Sequence, residues 1–150
     1  ISNYHQHVGD NCRDSICLVN VLEHIQHDLE ALNELTAMLR PNGHLCVFVP
    51  ALPFLYSKLD KIFGHFRRYT KTDLTQKFHA ADLKIIECKY IDLLGVPAWG
   101  IINTILGSTN LNPKMTKAYD RFFVPCTRTI ETMIPATLGK SLMIVGKKQS

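Results

Sequence analysis

The chain switches repeatedly between two hydrophobic periods, and the switches mark its elements. Ile16 to Leu22 is a near-continuous apolar run broken by Asn20, the pattern of a parallel strand buried on both faces. From Asp28 to Arg40 the period becomes helical, with Leu29, Leu32, Leu35, Met38 and Leu39 on one stripe, Asp28 as N-cap and Glu30 in the first turn. Pro41-Asn42-Gly43 stops that helix and turns the chain. His44 to Val49 (HLCVFV) is a second buried strand, ended by Pro50. Strand, helix and strand with short joints make a βαβ unit, which requires a parallel pair and a right-handed crossover.

A long connection follows from Ala51 to Tyr69, too polar for core and too aromatic for a plain linker. Thr70 with Asp73 three residues on is a capping box, and Leu74, Phe78 and Ala81 mark the buried stripe of a further helix. Lys84 to Ile91 alternates as a strand, with Ile86, Cys88 and Tyr90 on one side. Ile101 to Leu106 and Ala118 to Met133 are helical or irregular insertions broken by Pro113, Pro125 and Pro135. Ser141 to Val145 (SLMIV) is a final strand before the basic Lys147-Lys148, whereas residues 1 to 15 are polar and show no sustained period. Neither an internal repeat nor a low-complexity segment interrupts this order.

Composition narrows the class. With 150 residues, 46% hydrophobic and 20% charged, the chain suits one domain with a real core. A net charge of +4 spread over scattered Lys and Arg does not call for nucleic acid, and none is expected as a partner. The five cysteines, Cys12, Cys17, Cys46, Cys88 and Cys126, lack CxxC or His-rich spacing. They are expected to be reduced, small core residues of a cytoplasmic protein, with no metal site. The apolar stretch from Ile91 to Gly107 is too interrupted for a membrane span. Since the first residue is Ile1, and no leader pattern opens the chain, the expectation is a stretch that begins partway through a longer protein.

Asn20 to Ile25 (NVLEHI), the following helix, and HLCVFVPA resemble the second half of class I S-adenosylmethionine-dependent methyltransferases, the seven-stranded Rossmann-like family. ALPFLYSKLDKIFGHFRRYTKTDL is similar to the segment after strand five in the type 11 and type 12 methyltransferase domains, as are Glu131 to Pro135 and Gly139-Lys140-Ser141-Leu142. The resemblance covers nearly the whole chain. It implies a partial α/β Rossmann-like sheet in which Ile16 to Leu22, His44 to Val49, Lys84 to Ile91 and Ser141 to Gly146 are the fourth, fifth, sixth and antiparallel seventh strands. It further implies methyl transfer from S-adenosylmethionine to a small-molecule acceptor, with Asn20 and Val21 lining the cofactor. Gly9-Asp10 is a candidate remnant of the acidic third-strand motif near the adenine, which makes Asp10 a third candidate. The glycine-rich loop after the family's first strand and the acidic end of its second strand are absent from this sequence.

Methyl transfer from a sulfonium is an in-line displacement helped by positioning, with an optional base for the acceptor's proton. Asn20 inside an apolar run is expensive unless it has partners; it either caps the following turn or faces the cofactor. His24, beside Glu23 just past the strand end, is the candidate to orient or deprotonate an acceptor, or else bonds to backbone at the helix entry. His27 and Asp28 belong with the helix cap. Arg67 and Arg68 can offer planar forks to an acidic acceptor, flanked by Phe66 and Tyr69, with Tyr56 and His65 as further contacts; the alternative is a solvated basic loop in which one Arg pairs with Asp60 or Asp73. Trp99 and its apolar neighbours are either a pocket wall for a lipid-like group or packing.

Two functional classes remain open: a methyltransferase portion, and a non-catalytic remnant or binding module with the same sheet. Upstream sequence with a glycine-rich turn and an acidic strand end separates them. A sheet without its first strands leaves the strand at Ile16 as an apolar edge, from which self-association is expected.

Overall fold

A computed structural model describes residues 11–105, 117, 121, 122, 124–133 and 137–149. Asp10, and with it the third cofactor candidate, lies outside these residues, as do Pro113 and Pro135. The described strands are β1 (Arg13–Val19), β2 (Leu39–Pro50), β3 (Leu83–Ile91) and β4 (Ser141–Lys148). They form one sheet in the order β1-β2-β4-β3. β1 and β2 run parallel, and β4 lies antiparallel to both of its neighbours, so β3 points the same way as β1 and β2. Helix α1 (Asp28–Met38) is the crossover between β1 and β2, and α3 (Lys71–Ala80) packs beside β3. This is a Rossmann-like α/β arrangement with an antiparallel intruder, as the resemblance implied.

Each element has a local cause. Thr70 Oγ1 accepts the Asp73 backbone N–H at 3.1 Å and starts α3. Leu74, Phe78 and Ala81 are buried on its inner stripe. The α1 stripe buries Leu32, Leu35 and Met38, while Leu29 stays 36% exposed. Short joints turn at left-handed residues, including Asn42 (φ 67°) in the Pro41-Asn42-Gly43 turn. That turn does not precede the strand: β2 begins at Leu39, and the turn is an excursion within it, between the pairs Arg13/Leu39 and Ser15/His44.

Five other expectations are corrected. His27, not Asp28, is the N-cap residue of α1, and Asp28 is buried in the first turn. β1 is not buried on both faces, because it is the edge of the described sheet; Val19 is 57% exposed and Cys17 is exposed. In β3 a bulge between Ile85 and Glu87 breaks the period of two. Ile86 therefore faces outward at 54% exposure, while Ile85, Cys88 and Tyr90 pack on the core. None of the five cysteines is in a disulfide, but Cys17 and Cys126 are exposed and the other three half-buried, so none is a sealed core residue. Pro125 sits in the first turn of helix α5 (Val124–Met133), where it starts the helix and does not break it.

The close approach of α3 to the sheet depends on Gly146. A Cβ there would meet Phe78 at 2.7 Å and the Leu83 Cβ at 3.0 Å. Phe78→Ala is expected to lower stability by about 3–5 kcal/mol and Gly146→Ala by about 1–3 kcal/mol. In urea unfolding the double variant should lose less than the sum, because removing the ring makes room for the methyl; strict additivity would refute the packing account.

Candidate active site at the carboxyl edge of the sheet

The three co-directional strands all leave the sheet through a left-handed residue: Asn20 after β1 (φ 51°), Leu52 after β2 (φ 64°) and Asp92 after β3 (φ 68°). Asn and Asp tolerate this conformation, whereas Leu52 is strained there. These sharp exits splay the connections apart and leave a cavity of about 440 Å³ at the carboxyl edge. Asn20, Phe48, Pro50, Ile91, Asp92 and Ser141 line it from the sheet, with Phe63, His65, Arg68, Trp99, Thr127 and Lys140 from the surrounding segments. Ligands of open α/β sheets bind on this edge.

The outer wall is the connection from Ala51 to Tyr69, which closes on itself. Leu52 N–H donates to the Tyr69 carbonyl at 2.9 Å, and Tyr69 N–H donates to the Pro50 carbonyl at 3.0 Å. Within it, the short helix α2 (Lys58–Ile62) carries Asp60, fully buried. The Asp60 carboxylate accepts from Ser57 N–H (2.8 Å), Ser57 Oγ (2.9 Å), Arg68 Nε (2.9 Å), Arg68 Nη2 (3.1 Å) and His65 Nδ1 (3.0 Å). Burial alone would raise the Asp60 pKa. The Arg68 charge and fork, the Ser57 N–H and His65 outweigh it and hold the carboxyl below its ordinary 3.8.

Arg68 also donates to the Ala51 carbonyl at 3.2 Å, and its guanidinium lies 4.8 Å from the Trp99 ring centroid. Trp99, in helix α4 (Gly95–Trp99), donates from Nε1 to the Leu55 carbonyl at 3.1 Å. The indole, the guanidinium and Asp60 thus stack as one wall. Across the cavity, Asp92 pairs with Lys140 at 2.9 Å and ties the end of β3 to the start of β4.

The structure sorts the residues singled out in the sequence. Asn20, His65, Arg68 and Trp99 line the cavity, and Val21 is 41% exposed beside Asn20. Arg67 does not reach the cavity; it pairs with Asp28 at 3.1 Å and donates to the Gln26 carbonyl at 2.6 Å. Tyr69 is a core residue, its hydroxyl donating to Asp28 at 2.9 Å, and burial with that carboxylate raises its pKa. Arg68 spends its fork on Asp60, so it shapes the wall and does not offer the expected clamp to an acidic acceptor. Tyr56 donates to the His65 carbonyl at 2.6 Å and fixes that residue's backbone.

His24 is exposed and bonded through Nδ1 to the Gly64 carbonyl at 3.2 Å; His65, not His24, borders the cavity. The two rings meet edge to face with centroids 4.7 Å apart. Glu23 completes this corner. It is fully buried, no other residue donates to either carboxylate oxygen, and desolvation raises its pKa against the weaker pull of its own backbone N–H. Ligating atoms of Glu23, His24 and His65 all lie within 4.8 Å of one another, a spacing that can hold a metal ion. The expectation of no metal site rested on cysteine spacing, to which this corner is invisible.

The α/β sheet with its antiparallel β4 matches a partial methyltransferase-type Rossmann-like fold. A family profile described as a methyltransferase domain matches residues 3–88. The chain belongs to that family, of the class I, S-adenosylmethionine-dependent kind. Among solved structures, it is similar to a SAM-dependent methyltransferase from Archaeoglobus fulgidus (12% identity, TM-score 0.58), covering 97% of this chain and 64% of that one. It is also similar to the Burkholderia thailandensis 1,6-didemethyltoxoflavin-N1-methyltransferase, solved with 1,6-didemethyltoxoflavin and S-adenosylhomocysteine (16% identity, TM-score 0.53; 95% and 46% covered). At these identities the likeness concerns the fold. The chain spans about half to two thirds of these two structures. No curated protein matches it.

Asp60→Asn leaves Arg68 buried without its counter-charge and should cost about 3–5 kcal/mol at neutral pH. Because the folded pKa of Asp60 is depressed, its contribution is complete above about pH 4 and fades as pH falls through the folded value. Urea midpoints of the parent chain should therefore drop in acid more steeply than those of the variant. Parallel pH profiles would contradict the assignment.

Proposed function

We propose that this chain forms the acceptor cavity and one wall of the cofactor site of a methyltransferase acting from S-adenosylmethionine on a small molecule. The carrying observation is the cavity at the carboxyl edge, bordered by Asn20 and of a size in the usual small-ligand range of about 300–1,000 Å³. The fit to the cofactor rests on the exposed Asn20 and Val21, a polar and an apolar group side by side at the exit of β1. They suit a ligand that has both kinds of surface. When bound, S-adenosylmethionine supplies the electrophilic methyl group.

The rest is positioning. An in-line displacement needs no covalent bond to the protein, so the help comes from holding the acceptor atom in line and excluding water. Phe48, Phe63 and Trp99 offer apolar walls, and His65 and Thr127 offer polar groups that orient an acceptor. The two wall cations are both paired, Arg68 with Asp60 and Lys140 with Asp92. That favours a neutral acceptor with a flat apolar body over an acidic one. A cytoplasmic setting, in which the unbridged cysteines stay reduced, and pairing of two chains through the exposed β1 edge complete the reading.

Trp99 is the only tryptophan in the chain and stands in the cavity wall. Titration with S-adenosylhomocysteine, then with flat neutral acceptors, is expected to change its emission saturably. Asn20→Ala should weaken S-adenosylhomocysteine binding about five-fold, the worth of one hydrogen bond. A folded chain whose emission responds to neither ligand would instead favour a non-catalytic module with the methyltransferase fold.

A further inference from the structure

The corner formed by Glu23, His24 and His65 lies outside the strands of the sheet, and its chemistry is costly without a further partner. A buried carboxylate that no other residue donates to, supported only by its own backbone N–H, is among the less favourable arrangements in a protein interior. Its nearest cationic candidate, His65 Nε2, is 4.0 Å away, too far for a hydrogen bond.

The two imidazoles are oriented by bonds on their other nitrogens. His65 Nδ1 faces the Asp60 carboxylate at 3.0 Å, and His24 Nδ1 faces the Gly64 carbonyl at 3.2 Å. A carboxylate and a carbonyl only accept, so in each neutral ring the proton is on Nδ1 and the lone pair is on Nε2. A carboxylate or backbone carbonyl behind each histidine is the outer-shell arrangement that fixes metal-ligating rings. Asp60 is itself held by Ser57 and Arg68, so the orientation of His65 is rigid.

We propose that Glu23, His24 and His65 bind a divalent first-row transition ion. One carboxylate and two imidazoles make a set suited to Zn²⁺, Fe²⁺ or Co²⁺ and leave coordination positions open. Bonds of about 2.0–2.2 Å span ligand atoms up to roughly 4 Å apart, so ligand atoms that lie within 4.8 Å of one another come into range by small rotations of Glu23 and the exposed His24 about the fixed His65. His65 also lines the acceptor cavity, so the open positions would meet water or a lone pair of the acceptor. That last role rests on the methyltransferase reading; the metal site itself does not.

The test is titration of chelator-treated chain with Co²⁺, followed by absorption, calorimetry and thermal melting. One equivalent should bind with a nitrogen/oxygen-type spectrum and raise Tm. Glu23→Gln and His24→Ala should each weaken binding by more than the roughly 10–100-fold that loss of an outer-shell partner costs. Without metal, Glu23→Gln should melt no lower than the parent, because it removes an uncompensated buried charge. The proposal is overturned by absence of binding to the folded chain, by binding that survives both substitutions, or by a thiolate-to-cobalt band that places the ion on the cysteines. Cobalt binding without any response to S-adenosylhomocysteine would sink the cofactor reading alone, and the reverse would sink the metal site alone.

Discussion

The buried Asp60 carboxylate is the constraint on which the site depends. Five donor contacts converge on it from Ser57, His65 and Arg68, and through them it sets the shape of the long connection after β2. Arg68 carries the constraint to Trp99 and the Ala51 carbonyl, and His65 carries it to Glu23 and His24. A loop made of polar and aromatic residues thereby becomes a wall, because a buried charge with fully satisfied partners tolerates few other arrangements. The sheet supplies the other half of the cavity through the left-handed exits of its three co-directional strands.

A second carboxylate does similar work for the scaffold. Asp28 accepts from Tyr69 and pairs with Lys77 and Arg67, which ties the start of α1 to the end of the connection and to α3. Asp28 and Asp60 therefore divide the labour: Asp28 fixes the helices, and Asp60 shapes the cavity. The Phe66 N–H bond to the Glu23 carbonyl at 2.8 Å then sets the connection against the exit of β1.

Much of the fold was legible because its signals are local. The βαβ order, the Thr70 cap and the Leu74/Phe78/Ala81 stripe follow from period and capping and are present, although β1 ends at Val19 and not at Leu22 and β2 already begins at Leu39. The facing of Ile86 was not legible, since one bulged residue inverts the alternation without changing composition. Nor was the fate of the arginines. Arg67 and Arg68 are neighbours with the same chemistry, yet one pairs outside with Asp28 and the other is buried against Asp60. That division is set by long-range packing. Glu23 was passed over because a carboxylate next to a strand end usually reaches water; only the tertiary structure shows both oxygens buried beside two imidazoles that come from segments 41 positions apart.

The central claim is that the carboxyl-edge cavity is the place where a methyl group is delivered. Its most direct test is a crystal structure of the chain with S-adenosylhomocysteine. The account predicts the ligand against Asn20 and Val21, with its sulfur facing the cavity walled by His65 and Trp99. A ligand bound on another face of the sheet, or a cavity closed off from the sulfur, would contradict it.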